Sequence, residues 1–131
     1  MKIISIACCI LIYNLGFSQE VIAIDDIVPN ENYNNILVKK VYTDANASTF
    51  VIWIKDKVNP HIHKEHTEQV FVLEGKAKVW LNGKEQVIKK GDWITIPKQT
   101  IHRVAVLSKI PLKVISIQAP KFEGKDRIFI D

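Results

Sequence analysis

The sequence predicts an all-β protein, an antiparallel sandwich or barrel. Three observations lead there. Short runs rich in β-branched and aromatic residues recur from Ile36 onward, the composition that suits a pleated, half-buried surface. Turn signals separate the runs, among them Glu74-Gly75, Asn82-Gly83, Lys90-Gly91 and Pro97. No stretch sustains the three-to-four-residue apolar period of an amphipathic helix.

The first expected strand is Ile36–Tyr42. Thr49–Lys55 follows, built on the apolar block Phe50-Val51-Ile52-Trp53-Ile54. Glu68–Leu73 ends at Glu74-Gly75. Ala77–Leu81 and Glu85–Lys89 flank Asn82-Gly83, and this dipeptide favours a type I′ hairpin because both residues take positive φ cheaply. Trp93–Ile96, His102–Leu107 and Leu112–Gln118 come next, the last around Val114-Ile115-Ser116-Ile117. After a turn at Phe122–Asp126, Arg127–Ile130 reads as a final edge strand. Pro29–Asn35 has no regular pattern and leaves room for a turn or a short helix. No period of twenty or more residues recurs, which excludes a solenoid.

With 131 residues the chain has room for one domain. At 47% apolar and 24% charged it is too apolar for disorder and too charged for a multi-spanning membrane protein. The formal net charge is +4. Its lysines are scattered (Lys39-Lys40, Lys55, Lys57, Lys89-Lys90) rather than gathered with aromatic residues, so they read as solvated faces, with no nucleic-acid partner expected.

Residues 1–18 have another character. Lys2 precedes the uncharged run Ile3–Ile12, and small residues Gly16 and Ser18 lie three and one positions before Gln19. This is the layout of a secretory signal peptide cleaved after Ser18. The apolar run is shorter than the roughly 20 residues a membrane span needs, and Cys8 comes too early for a lipidation box. The expectation is therefore an exported protein, periplasmic or secreted, without stable membrane insertion after cleavage. It comprises an N-terminal segment 19–35 and a barrel 36–131. Both cysteines, Cys8 and Cys9, would leave with the signal, and with them any thiol chemistry or disulfide.

His61, His63, His66 and His102 are the only histidines of the chain. If His61 and His63 share a strand, both side chains point to one face, about 6.6 Å apart along the backbone. Two imidazoles so placed can converge on one ion at about 2.0–2.1 Å. Glu68 opens the next run and offers an oxygen ligand, and a barrel could bring His102 across to complete the set.

The spacing adds weight. His61-X-His63-(X)4-Glu68-(X)6-Gly75 is followed, after a compact spacer from Lys76 to Lys90, by Gly91-(X)5-Pro97-X-Gln99-X-X-His102. This resembles the two-motif signature of the cupin superfamily, in its small single-domain form. The resemblance covers about Ile36 to Ile117. It implies a jelly-roll-like, double-stranded β-helix barrel holding one metal, with His61, His63, Glu68 and His102 at the ligand positions. Two departures stand out: Gln99 replaces a usual Gly, and Val106 a usual Asn. The resemblance also implies a homodimer, for which Ile36–Tyr42 and Thr49–Lys55 could be exchanged.

Three neutral imidazoles and one carboxylate suit Fe, Mn, Ni, Cu or Zn as a divalent ion, and affinity order does not choose among them. Four protein ligands on a six-coordinate ion leave two positions open for substrate, water or oxygen. The leading expectation is a metal-dependent enzyme of the dioxygenase, isomerase or lyase type acting on a small polar organic molecule. The alternative is a non-catalytic module binding a metal and a carbohydrate or other small ligand, and the third is a purely structural barrel. His66 is the candidate acid or base at the pocket mouth, against a plainer reading as a solvated loop residue. Gln69 and Arg103 should face away from the site. Trp53, Trp80 and Trp93 read as core residues before ligand-stacking ones. A Gly-rich phosphate loop and a Gly-X-Ser-X-Gly elbow are both lacking, so any catalysis would run through the metal.

Overall fold

The computed structural model describes residues 21–130, and the expected signal peptide, its cleavage after Ser18 and both cysteines lie outside the described residues. Ten strands follow one 3₁₀ turn at Ile24–Asp26 among the described residues. They are β1 (Ile36–Thr43), β2 (Ser48–Ile54), β3 (Lys57–His63), β4 (Thr67–Glu74), β5 (Lys76–Leu81), β6 (Lys84–Lys89), β7 (Trp93–Ile96), β8 (His102–Val106), β9 (Leu112–Ala119) and β10 (Arg127–Phe129). Two five-stranded sheets form, ordered β1-β2-β9-β4-β7 and β10-β3-β8-β5-β6. Every pairing is antiparallel. The expected all-β, double-stranded β-helix barrel is what the chain builds.

β2 is buried along nearly its whole length because both of its faces are covered. Phe50, Ile52 and Ile54 point between the sheets and join Val72, Ala77, Val79, Ile88, Leu112 and Val114 in the main core. Val51 and Trp53 point outward and meet Ile24, Ile27 and Tyr33 of the N-terminal segment. The two-residue period of a strand thus serves two cores. A fully buried aliphatic side chain such as Val72 contributes about 1.5–3 kcal/mol by leaving water.

β3 is absent from the strands expected by composition. Pro60 interrupts it, and a proline cannot donate to a ladder. The structure accommodates Pro60 at a register shift between Val58 and His61, where β3 bulges against β8. The β5–β6 turn has φ of 47° at Asn82 and 82° at Gly83, as expected for a type I′ hairpin. Gln99 carries a φ of 64°, the left-handed conformation for which a glycine is usual. Of the expected edge strand Arg127–Ile130, Arg127–Phe129 forms, paired to β3.

The tryptophans divide. Trp53 is buried, and Trp80 is half-buried with the Arg103 guanidinium 4.0 Å above its ring. Trp93 corrects the core expectation at 52% exposure. In the edge strand β7, Ile94 and Ile96 take the inward positions, which turns Trp93 outward beside its cross-strand partner Phe71.

Candidate metal centre

Three strands deliver the four expected ligands to one place. On β3, His61 and His63 share the inward face, with Ile62 between them. His102 begins β8 directly opposite His61 in the ladder. Their ring centroids are 4.0 Å apart, and His63 lies 5.2 Å from His61 and 5.4 Å from His102. Glu68 enters from β4 in the other sheet. All four side chains are buried.

The hydrogen bonds fix which nitrogen each ring presents. His61 Nδ1 donates to the Asn59 carbonyl at 2.8 Å, and His102 Nδ1 donates to the Thr100 carbonyl at 2.9 Å. Both rings therefore carry a proton on Nδ1 and leave Nε2 to face inward, the usual preparation of a metal-binding imidazole. His102 Nε2 has no hydrogen-bond partner, and neither nitrogen of His63 has one. A buried polar atom left so costs stability unless something else fills the role.

The spacing shows what could fill it. Glu68 Oε2 lies 3.6 Å from His63 Nε2 and 3.5 Å from His102 Nε2, beyond ordinary hydrogen-bond reach. Two donors each about 2.0–2.2 Å from one ion sit about 3.0–3.5 Å apart, so these gaps are close to those of a coordination shell. Potential ligand atoms of His61, His63 and His102 all fall within 4.8 Å of one another. The residues fit a divalent transition metal.

Glu68 is prepared as well. Its Oε1 accepts a short hydrogen bond from the Ser116 hydroxyl and a long one, 3.5 Å, from Gln118 Nε2. Burial alone would raise its pKa, but the facing imidazoles of His102 and His63 and the Ser116 hydroxyl prevail and lower it, so it is a carboxylate. Burial does the opposite to His61. It pushes the imidazole down to about 4, helped by His102 and more weakly by Arg127, so this ring is neutral at physiological pH.

Ser116 and Gln118 escaped the sequence reading. Their signal lies in the alternation of β9, whose inward positions run Leu112, Val114, Ser116, Gln118. The register sets Gln118 opposite Glu68, so the strand turns polar where it reaches the site.

Asp126 is the other residue that sequence reasoning missed. Its carboxylate accepts hydrogen bonds from the backbone N–H groups of Lys64, Glu65 and His66, and engages the His66 ring at Nδ1. It also lies 3.9 Å from His63 Nδ1. The solvated-loop reading of His66 is corrected here: the residue is 5% exposed, with Nε2 bonded to the Lys121 carbonyl at 2.9 Å. Burial favours its neutral form, but the Lys121 carbonyl and Asp126 outweigh it and raise the pKa. With both nitrogens engaged, His66 ties the tail to the loop before β4. His63, His66 and Asp126 form a second group whose ligand atoms lie close together, contiguous with the first through His63. Gln69 and Arg103 are exposed, as expected from strand alternation.

Between the sheets, next to these ligands, lies a cavity of about 70 Å³. A single water needs roughly 10–15 Å³ measured this way, so the space suits a small molecule or a few waters. Aliphatic side chains form most of the wall, and His61, Glu68, His102 and Arg127 supply its polar groups. Val106, where a polar residue is more usual, packs against the main apolar core instead.

Fold and site together define a double-stranded β-helix barrel with a buried three-histidine, one-carboxylate cluster that can hold a metal. Residues 49–118 match the family described as the cupin domain. The chain belongs to the cupin family. An uncharacterized protein of Aquifex aeolicus (strain VF5) is 31% identical over 115 residues, covering 86% of this chain and 94% of its own. A 36% identical segment of 47 residues is shared with quercetin 2,3-dioxygenase of Bacillus subtilis (strain 168), covering 36% of this chain and 14% of that enzyme. Among solved structures, an uncharacterized conserved protein with a double-stranded β-helix domain from Klebsiella pneumoniae superposes with a TM-score of 0.72. It is 18% identical, covering 87% of this chain and 99% of that one.

Proposed function

We propose that this cupin holds one divalent transition metal on His61, His63, Glu68 and His102 and is an enzyme acting on a small organic molecule. The observation that carries the reading is the pair of buried, unpartnered nitrogens, His63 Nε2 and His102 Nε2, facing the Glu68 carboxylate at 3.6 and 3.5 Å. When bound, such a metal supplies Lewis acidity or, as iron, manganese, nickel or copper, oxygen activation. The chain's own part is to aim three imidazoles and one ionised carboxylate at a single point and to line the adjoining cavity with aliphatic side chains. The segment shared with a dioxygenase supports oxygen chemistry as one candidate, but this architecture hosts many reactions.

Export through residues 1–18 and assembly as a homodimer belong to the same proposal. They rest on the character of the first eighteen residues and on the edge strand β1, where Ile36, Val38 and Tyr42 are exposed.

Water-proton relaxation tests the enzymatic reading. The protein loaded with Mn(II) should enhance the relaxation rate of bulk water, because an open metal position exchanges water with solvent. Full Mn(II) occupancy without enhancement would indicate a closed, structural site. A ligand that suppresses the enhancement and is recovered chemically unchanged would favour the binding-module alternative.

A further inference from the structure

The cavity beside the metal cluster holds one permanent cation, Arg127, and the architecture aims it there. Arg127 opens β10 directly opposite His63, and residues paired across a ladder project to the same side. It lines the cavity with His61, Glu68 and His102, among otherwise aliphatic neighbours. Its Nε is buried and has no hydrogen-bond partner. The adjacent carboxylate does not serve it, since Asp126 is committed to His66, to three backbone amides and to the flank of His63. Among the described residues Arg127 forms no ion pair.

Arg127 is half-buried, and its Nε is buried without a partner. Its planar fork of donors matches a carboxylate, and an unpaired donor away from water loses stability. The charge balance agrees. With a divalent ion bound, three neutral imidazoles and one carboxylate would sum to one positive charge, and the half-buried Arg127 adds a second. That balance favours an anion. Beyond these groups, Ile52, Val70, Val104 and their neighbours offer only apolar contact.

We propose that Arg127 is the anion-recognising residue of the cavity and that its ligand is a small organic carboxylate with an aliphatic body. The carboxylate pairs with the guanidinium, the body lies against the aliphatic wall, and the end near His61, Glu68 and His102 carries the group to be transformed. This rests on the metal-enzyme reading for the transformation and for the cavity's net positive charge; the pairing of guanidinium with carboxylate does not, because Arg127 is charged with or without a metal.

Calorimetric titration of the full chain tests it. The probes are pyruvate, 3-methyl-2-oxobutanoate and 2-hydroxyisobutyrate, each beside its neutral amide, with the metal content of every sample measured. At least one carboxylate should bind about tenfold or more tightly than its amide, the worth of one charge-assisted hydrogen-bond pair. Arg127→Gln should abolish that preference. Arg127→Lys keeps the charge without the fork, should retain part of the preference, and serves if Arg127→Gln does not fold. Equal binding of carboxylate and amide by the parent protein would overturn the proposal, as would a preference undiminished in both variants. Samples that prefer carboxylates yet never take up metal would overturn the metal reading and leave the role of Arg127 standing.

Discussion

His61 and His102 face each other across the β3–β8 ladder with ring centroids 4.0 Å apart and with both Nδ1 protons committed to carbonyls two residues upstream. A strand pairing therefore places two ligand nitrogens, and the local turns set their tautomers. The arrangement has no room for two imidazolium charges.

Acid should therefore unfold the metal-free protein early. His61 titrates near 4 in the fold against 6.5 for a free imidazole, chiefly through burial and then through His102. Between those values the unfolded chain binds a proton that the fold refuses, so stability falls as pH drops from about 6.5 toward 4. Glu68, whose pKa the fold lowers, acts in the same direction at more acid pH. His66 has the opposite sign: its raised pKa adds stability fully present below 6.5 and lost as pH rises through its folded value. Thermal melts of the metal-free His66→Asn variant, which lacks the opposing group, should show a lower Tm at pH 5 than at pH 7, and a Tm unchanged between them would contradict the burial of a neutral His61.

Asp126→Asn should loosen the site without removing a ligand. The substitution weakens hydrogen bonds to three backbone amides and to His66, and removes the charge beside His63. Outer partners of metal ligands typically govern about 10–100-fold in affinity. A competition titration with a chelator should show a loss in that range, together with a lower Tm.

Gly75→Ala should be strongly destabilising. The residue has φ of 84°, and an added Cβ would stand 2.9 Å from the Pro111 carbonyl oxygen, which is backbone and cannot swing away. Left-handed geometry alone costs about 1–2 kcal/mol for a residue with a Cβ, and the clash adds to it. Denaturant unfolding should register a loss of about 2 kcal/mol or more.

Gln99→Gly should go the other way. Gln99 is exposed with φ of 64°, so glycine relieves backbone strain without opening a hole. Relief of about 1–2 kcal/mol, less about 0.5–1 for the greater freedom of glycine when unfolded, leaves a net gain of about 0.5–1 kcal/mol. The same unfolding measurement checks it, and a loss would mean that the Gln99 side chain contributes contacts of its own.

Much of this site was legible in the sequence because the ligand spacing is a strand spacing. Alternation alone places His61 and His63 on one face, and Asn82-Gly83 announces its hairpin. Other features needed the third dimension. β3 hides behind Pro60, whose tolerance depends on a bulge visible only in the ladder. Asp126 and Arg127 lie 63 and 64 residues after His63, and the pairing of β10 with β3 brings them to it. His66 reads as a loop residue from its neighbours, and the returning tail buries it.

The most direct test of the metal centre is elemental mass spectrometry on the purified protein beside His61→Ala and His102→Ala, each checked for folding by circular dichroism. One divalent transition metal per chain in the parent protein, lost from both folded variants, is the result expected from the cluster. No metal in the parent protein after reconstitution with iron, manganese, nickel, copper and zinc in turn would contradict it, as would full occupancy retained in the variants.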